Sequence, residues 1–340
     1  MPRKCYLIII LFLFVLFQSF KQSIFEGFVK PENFPEPVYD VAQNPVTKES
    51  FELGRKLFYE TALSRDNSIS CGSCHVQSSA FTQHGHDVSH GIEDRLGSRN
   101  SPPIMNLAWN RSFFWDGGVF HLDLFSVSPI TNPVEMDEKM ENVLEKLRSK
   151  MEYREKFKTV YGSDDITGNQ VFKALSSFMI MCISSNSKYD SVMRKTGARF
   201  TEAESRGYDI FSNNCSSCHK EPLFTDGSFR NNGLDNQFNP DTGRQAITLD
   251  PEDRFKFKVP SLRNLTYTVP YMHDGRFTKI DQVLDHYARG VQDSHTLDPV
   301  LKKKGQPGIA LTAGEKTDLK AFLKTLDDKY FITRRDLSEQ

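Results

Sequence analysis

Cysteine, tryptophan, net charge and long apolar runs are all in short supply in this chain. Six cysteines in 340 residues leave little material for a disulfide framework. Forty-three Lys and Arg against 44 Asp and Glu give a formal net charge of −1, so no basic footprint for nucleic acid is present. One long apolar run exists, the 12 residues from Tyr6 to Phe17, and no second one follows. Preceded by Arg3 and Lys4, it suits a signal-peptide core better than a full membrane span. Ser19 and Ser23 are the small residues available for cleavage, but Phe17 and Lys21 stand two positions before them. Residues 1–24 are therefore expected to be a signal peptide or an uncleaved signal anchor, with membrane attachment only in the second case. Cys5 precedes the apolar run, which does not suit a lipoprotein.

Four of the six cysteines fall into two copies of one pattern, Cys71-Gly-Ser-Cys74-His75 and Cys215-Ser-Ser-Cys218-His219. C-x-x-C-H is the heme c attachment sequence: two thiols reach two edges of the porphyrin and the adjacent imidazole binds the iron. A lone C-x-x-C would read as half a zinc site or a redox dithiol. The terminal histidine at both copies points instead to a diheme c-type cytochrome. Covalent attachment takes place outside the cytoplasmic membrane, so export to the periplasm is expected. Cys182 lies in an apolar stretch and reads as a small buried hydrophobe.

About 315 residues remain after the signal, enough for two domains. One motif per half suggests division into 25–198 and 199–340, joined by the polar stretch Ser184–Thr201. The expected fold is mostly α, two cytochrome c-like domains with one covalent heme each. Apolar spacing predicts helices at Phe51–Phe58, Glu138–Val160 and Gln170–Ile183. Thr201/Glu204 and Thr312/Glu315 are capping boxes, and Leu319, Phe322, Leu323 and Leu326 share a face of the last helix. Pro222–Lys258 contains no strand ladder. Leu57-Phe58 and Ile210-Phe211, each ahead of a heme motif, are the visible internal similarity.

The fragments around the motifs resemble the bacterial diheme cytochrome c peroxidase and MauG family over roughly Leu53–Leu326. They are Ser68-Ile-Ser-Cys71, Arg99-Asn-Ser-Pro102, Phe114-Trp-Asp-Gly117, Asn132-Pro-Val-Glu-Met136, Val259-Pro-Ser-Leu-Arg-Asn264 and Pro270-Tyr-Met-His-Asp-Gly275. The resemblance implies that Glu135 is the acid–base carboxylate over the first heme. Such a group takes a proton from one peroxide oxygen and delivers it to the other. By itself Glu135 reads as a carboxylate ahead of a helix. The resemblance also makes Trp115 an electron relay between the hemes, while Trp109 reads as packing. It further implies a calcium site at Asn100, Thr268 and Pro270, residues that alone would be turn formers.

Peroxidases of this family bind the second iron with a Met opposite the histidine, and MauG does so with a Tyr. Fourteen residues after His273 stands Tyr287. Ile280, Val283, Leu284 and Tyr287 fall on one helical face, between a Thr278/Asp281 capping box and a stop at Gly290. His286 points about 100° away. Met272 is the other candidate ligand. A phenolate favours oxidised iron and a thioether favours reduced iron.

Two positions depart from the family pattern. Phe125 stands where a distal glutamine is expected, and no histidine is in register to close the first iron, His90 being nearest, then His84 and His86. The expected activity is reduction of hydrogen peroxide to water with electrons from a small cytochrome c or similar donor. His75 would hold the first iron, Glu135 move protons, and His219 with Tyr287 hold the second iron, in a chain that could form a homodimer. The alternatives are a MauG-like oxidase acting on a partner protein and a diheme electron carrier.

Overall fold

Local capping starts the helices that carry the fold. In the computed structural model, which describes residues 25–235, 239–302 and 306–340, Thr47 and Ser50 form a reciprocal capping box ahead of Lys48–Phe58. The expected signal segment and Cys5 lie outside the described residues. Thr167/Gln170 cap Gly168–Met179, Thr201/Glu204 cap Glu202–Asn214, and Thr312/Glu315 cap Ala313–Lys324. The protein is mostly helical, 40% of it in helix with few strands. Among the described residues no helix is long and apolar enough to cross a membrane.

The same packing device occurs in both halves. The Lys48–Phe58 helix crosses Gly168–Met179 at Gly54, where a Cβ would sit 1.9 Å from the Ala174 carbonyl oxygen. The Glu202–Asn214 helix crosses Ala313–Lys324 at Gly207, where a Cβ would sit 2.0 Å from the Asp318 carbonyl oxygen. Only glycine permits such an approach. Gly54-x-x-Leu-Phe58 and Gly207-x-x-Ile-Phe211 are thus the same helix twice, each delivering its Phe to a core. One core gathers Phe51, Phe58, Phe81, Trp109 and Phe178, and a second gathers Tyr189, Phe211, Phe224, Phe322 and Leu326. The end of the chain returns to the first core: Phe331 and Leu337 are fully buried there. Arg55 donates to the Asp336 carbonyl, and Tyr59 to that of Leu337.

Several predicted elements differ in detail. Glu138–Val160 is two helices, Met140–Ser149 and Met151–Tyr161, broken at Lys150 (φ −95°, ψ 116°). Val143 and Leu147 share one face, as do Tyr153 and Phe157. In one straight helix all four would fall within a stripe of about 120°, so the break at Lys150 is not visible in their spacing. Gln170–Ile183 begins earlier and ends at Met179. The Ser184–Thr201 linker holds a helix, Lys188–Met193, capped by Ser187, with Ser184, Ser187 and Asp190 buried. Within Pro222–Lys258, Phe229–Arg230 pairs antiparallel with Phe257–Lys258, in register Phe229 to Lys258. Ahead of Ile280–Asp285 it is the Gln282 side chain, not a Thr278/Asp281 box, that accepts from the Thr278 and Lys279 N–H groups.

That linker helix carries the most deeply buried ion pair. Asp190 and Arg263, both wholly inaccessible, make two hydrogen bonds of 2.8 Å. Burial opposes ionisation of Asp190, but Arg263 and the Ser187 donors outweigh it and hold the carboxyl below its usual range. Removing one partner strands the other charge, so Asp190→Asn should cost about 3–5 kcal/mol in chemical denaturation. A depressed carboxylate stabilises the fold above its unfolded pKa, about 3.9, and loses that contribution as pH falls through the folded value. The gap between parent and variant should therefore close in acid; a constant gap would show that the pair's charge is not its source.

Candidate active site

Each Cys-x-x-Cys-His runs through a tight turn that ends by fixing an imidazole. Cys71–Cys74 is a single helical turn and His75 follows it. His75 Nδ1 lies 2.8 Å from the Phe81 carbonyl oxygen. His219 Nδ1 lies 3.2 Å and 3.1 Å from the carbonyl oxygens of Phe224 and Pro260. A carbonyl only accepts, so Nδ1 carries the proton at both positions and Nε2 keeps its lone pair. Burial lowers both imidazoles, His75 to about 4, against the pull of those carbonyls, so they are neutral at pH 7. Burial also pushes the Cys71 thiol up to about 12, Cys74 to about 11 and Cys215 to about 12. These are not the acidified thiols of a redox dithiol. Among the described residues, no group of three or more His, Cys, Asp and Glu converges to hold a metal ion, which leaves zinc without its four ligands.

The motifs open into two cavities. Cys71, Cys74, His75, Phe125 and Glu135 line the first, and Cys215, Cys218, His219, Met272 and Tyr287 line the second. Trp115 and Asn100 line both, so they form the wall between them. Trp115 Nε1 donates to the Asn100 carbonyl at 2.8 Å, which fixes the indole plane. In the first cavity, burial raises the Glu135 carboxyl, opposed by the Asn132 amide that donates to it at 2.7 Å. Ile92 N–H donates to the Glu135 carbonyl at 2.8 Å and ties down its backbone. Phe125 packs 4.9 Å from Phe114 and 5.5 Å from Phe113, an apolar wall where a glutamine would be polar. His90 is turned to Asp94, 2.8 Å away, and His84 to Ser79, 2.9 Å away; neither lines this cavity.

In the second cavity, Tyr287 sits in a π-helical turn, His286–Gly290, that ends at the glycine read as a stop. Burial pushes its phenol up to about 12, opposed by a hydrogen bond with the Asn232 side chain. Asn232 Nδ2 also lies 3.9 Å from Met272 Sδ, so one side chain touches both candidate ligands. His286 faces away, its Nε2 3.1 Å from the Asn232 carbonyl oxygen. Thr268 and Pro270 line this cavity together with Asn100, whose N–H donates to the His273 carbonyl. Trp109 is packing, its Nε1 bound to the Pro35 carbonyl at 2.8 Å. Cys182 is fully buried.

The profile of the family described as Di-haem cytochrome c peroxidase matches residues 48–198. The methylamine utilization protein MauG of Methylorubrum extorquens is 33% identical over 88% of this chain and 83% of its own. The chain belongs to the diheme cytochrome c peroxidase and MauG family. Cytochrome c551 peroxidase of Nitrosomonas europaea is 33% identical over 75% of this chain and 77% of its own. A solved MauG-like protein associated with microbial copper homeostasis superposes with a TM-score of 0.82, at 31% identity, covering 94% of this chain and 99% of that one. Family members are oxidoreductases, and the family's di-haem character implies two heme cofactors.

The donor sets fit that cofactor. Each cavity offers two thiols at one edge and a neutral imidazole whose Nε2 is free, with apolar walls, as heme c requires. Asn232, Phe81 and Phe224 also shape the site but carry no sequence signal beyond the Asn231-Asn232-Gly233 turn, and Asn132 stands in the Asn132-Pro-Val-Glu-Met136 fragment without any sign of its bond to Glu135. The Glu135 carboxyl should titrate above the ordinary carboxylate range, and Asn132→Leu should raise it further, because the amide favours the charged form. Isotope-edited infrared titration reads the protonated carboxyl; identical curves for parent and variant would contradict the assignment.

Proposed function

We propose that this protein is a periplasmic diheme cytochrome c peroxidase that reduces hydrogen peroxide to water with electrons from a small cytochrome c or similar redox protein. The observation that carries the reading is Glu135, a carboxyl raised by burial and fixed by Asn132 in the cavity lined by His75. When bound there, heme supplies the redox chemistry that splits the O–O bond. Glu135 takes a proton from one peroxide oxygen and returns it to the departing one. Asn132 orients the carboxyl, and Phe114 with Phe125 keep water from that face. Cys71 and Cys74 attach the first heme and Cys215 and Cys218 the second, one per half of the chain, 25–198 and 199–340. Trp115 passes electrons across the wall between the cavities. His219 and Tyr287 hold the second iron, with Asn232 steadying the phenol. Asn100, Thr268 and Pro270 hold a calcium ion beside Trp115 through oxygen donors.

A second reading, a MauG-like oxidase acting on a partner protein, is favoured by one residue. Tyr287, facing the cavity of His219, would favour oxidised iron, whereas a thioether would favour reduced iron.

Glu135→Gln should keep both hemes and slow peroxide turnover by about 100-fold or more, the usual scale for a lost acid–base group. Stopped-flow mixing with peroxide checks this, and an unchanged rate would return Glu135 to a structural role. With His90 turned to Asp94, the fully oxidised protein should react with peroxide without prior reduction, and Tyr287→Phe should alter the second heme's spectrum. An oxidised protein inert until given an electron, or an unchanged Tyr287→Phe spectrum, would sink this assignment of ligands. Turnover with reduced cytochrome c, set against oxidation of candidate protein substrates, separates the two readings.

A further inference from the structure

Buried and half-buried charges in this protein are generally matched. Arg263 pairs with Asp190, Arg99 with Asp116 and Asp241, and Arg230 with Asp226 and Asp298. Lys258 differs. Lys258 is one of the residues lining the second cavity, and its Nζ donates to the Ser112 carbonyl at 2.9 Å, with the Phe113 ring 5.9 Å away. Among the described residues, no carboxylate oxygen lies within the 4.0 Å of an ion pair with it. Asp116, the carboxylate that attracts it, is already engaged by Arg99 and by the Gly118 N–H. Burial pushes the ammonium down to about 8, the sign of a cation short of a counter-charge.

The backbone fixes where that cation stands. Lys258 N–H donates to the Trp115 carbonyl at 2.7 Å, and the residue pairs with Phe229 in the two-stranded ladder. The cavity wall beyond it is largely apolar, with Val259, Leu262, Leu265 and Leu319, and Arg230 on the same wall is occupied by two aspartates. A half-buried ammonium with one neutral acceptor is completed by an anion that also closes it from water.

We propose that Lys258 binds a carboxylate of the prosthetic group in the second cavity, a heme propionate. This rests on the reading of Cys215-x-x-Cys-His219 as a heme site. It makes Lys258 a positioning residue: it seats the ring edge beside Trp115 and sets part of the charge felt at the second iron. Removing it would leave the propionate uncompensated, and that negative charge favours the oxidised state.

The test uses the full-length holoprotein with Lys258→Met, Lys258→Gln and Lys258→Arg. Heme is counted by pyridine hemochrome, each heme's potential is measured by spectroelectrochemical titration, and resonance Raman reports the propionate bending band. The expected result is two hemes in Lys258→Met, a lowered potential and shifted propionate band for the second heme alone, and recovery of both in Lys258→Arg. If the neutral variants lose the second heme, its retention in Lys258→Arg supports the same role. Unchanged potential and band in a two-heme Lys258→Met protein overturn the proposal, as does a shift confined to the first heme. A single heme in the unmodified protein would instead overturn the diheme reading beneath it.

Discussion

Two backbone carbonyls, those of Phe81 and Phe224, are the constraint around which the rest is arranged. Each accepts from the Nδ1–H of a motif histidine and so turns Nε2 toward a cavity. Both phenylalanines pay for this in the left-handed region, at φ 59° and 56°, where a bulky residue costs on the order of 1–3 kcal/mol. Their rings hold them there. Phe81 packs against Phe58, Phe178 and Phe331, and Phe224 against Tyr189, Phe211 and Phe322. The buried ion pair belongs to the same structure: Arg263 donates to the Pro222 carbonyl at 2.7 Å and lies 5.6 Å over the Phe224 ring. A mechanical path therefore runs from Asp190 in the linker helix, through Arg263 and the 222–224 turn, to His219. In the first half the chain's own end has that role, with Phe331 against Phe81 and Gln77 bound to the Arg334 carbonyl at 2.7 Å.

What was legible in the sequence was local. The heme motifs span five residues, and the capping boxes at Thr201 and Thr312 span four; chemistry at that range is set by neighbours in the chain. Cys182 as core and His286 as facing away also followed from near neighbours. The rest depends on contacts across the chain. Gly54 and Gly207 share a phase relative to Phe58 and Phe211, yet their purpose shows only when Ala174 and Asp318 arrive against them. Part of the polarity between Ser184 and Thr201 belongs to Ser184, Ser187 and Asp190, which bond inward, so there polarity marks a buried network and not a solvated segment. The family roles of Glu135, Trp115 and Tyr287 came from resemblance. Asn232, which touches Tyr287, is an ordinary turn residue until the fold is seen, and Asn132 is only part of a family fragment until its amide is seen on Glu135.

The wall between the cavities is stiffer than a single indole would suggest. Trp115 donates to Asn100, Asn100 N–H donates to the His273 carbonyl, and His273 stacks on Phe257 at 3.7 Å. Arg99 clamps Asp116 on one side of the indole's segment and Asp241 on the other, and Asp241 lies 4.0 Å from His273. Residues from both halves thus meet at one tryptophan, and its position is over-determined by backbone and charged contacts. The relay role proposed for Trp115 needs that property, because transfer through a side chain depends on where the ring is held.

In the ligand role proposed for it, Tyr287 would link ligand choice to oxidation state. Its carbonyl accepts from Ile309 N–H at 2.7 Å, so the π-helical turn cannot rotate the phenol away without breaking that bond. Burial favours the neutral phenol, and a cation against the oxygen would oppose that shift. The same low dielectric then strengthens the contact between phenolate and cation. Met272, on the same wall and touched by the same Asn232, has no charge to contribute. Of the two side chains, the phenol stabilises the higher positive charge at the metal and the thioether the lower. As the proposed ligand of the second iron, a phenol buried and steadied by Asn232 would favour the oxidised state through the same contact that makes it a ligand.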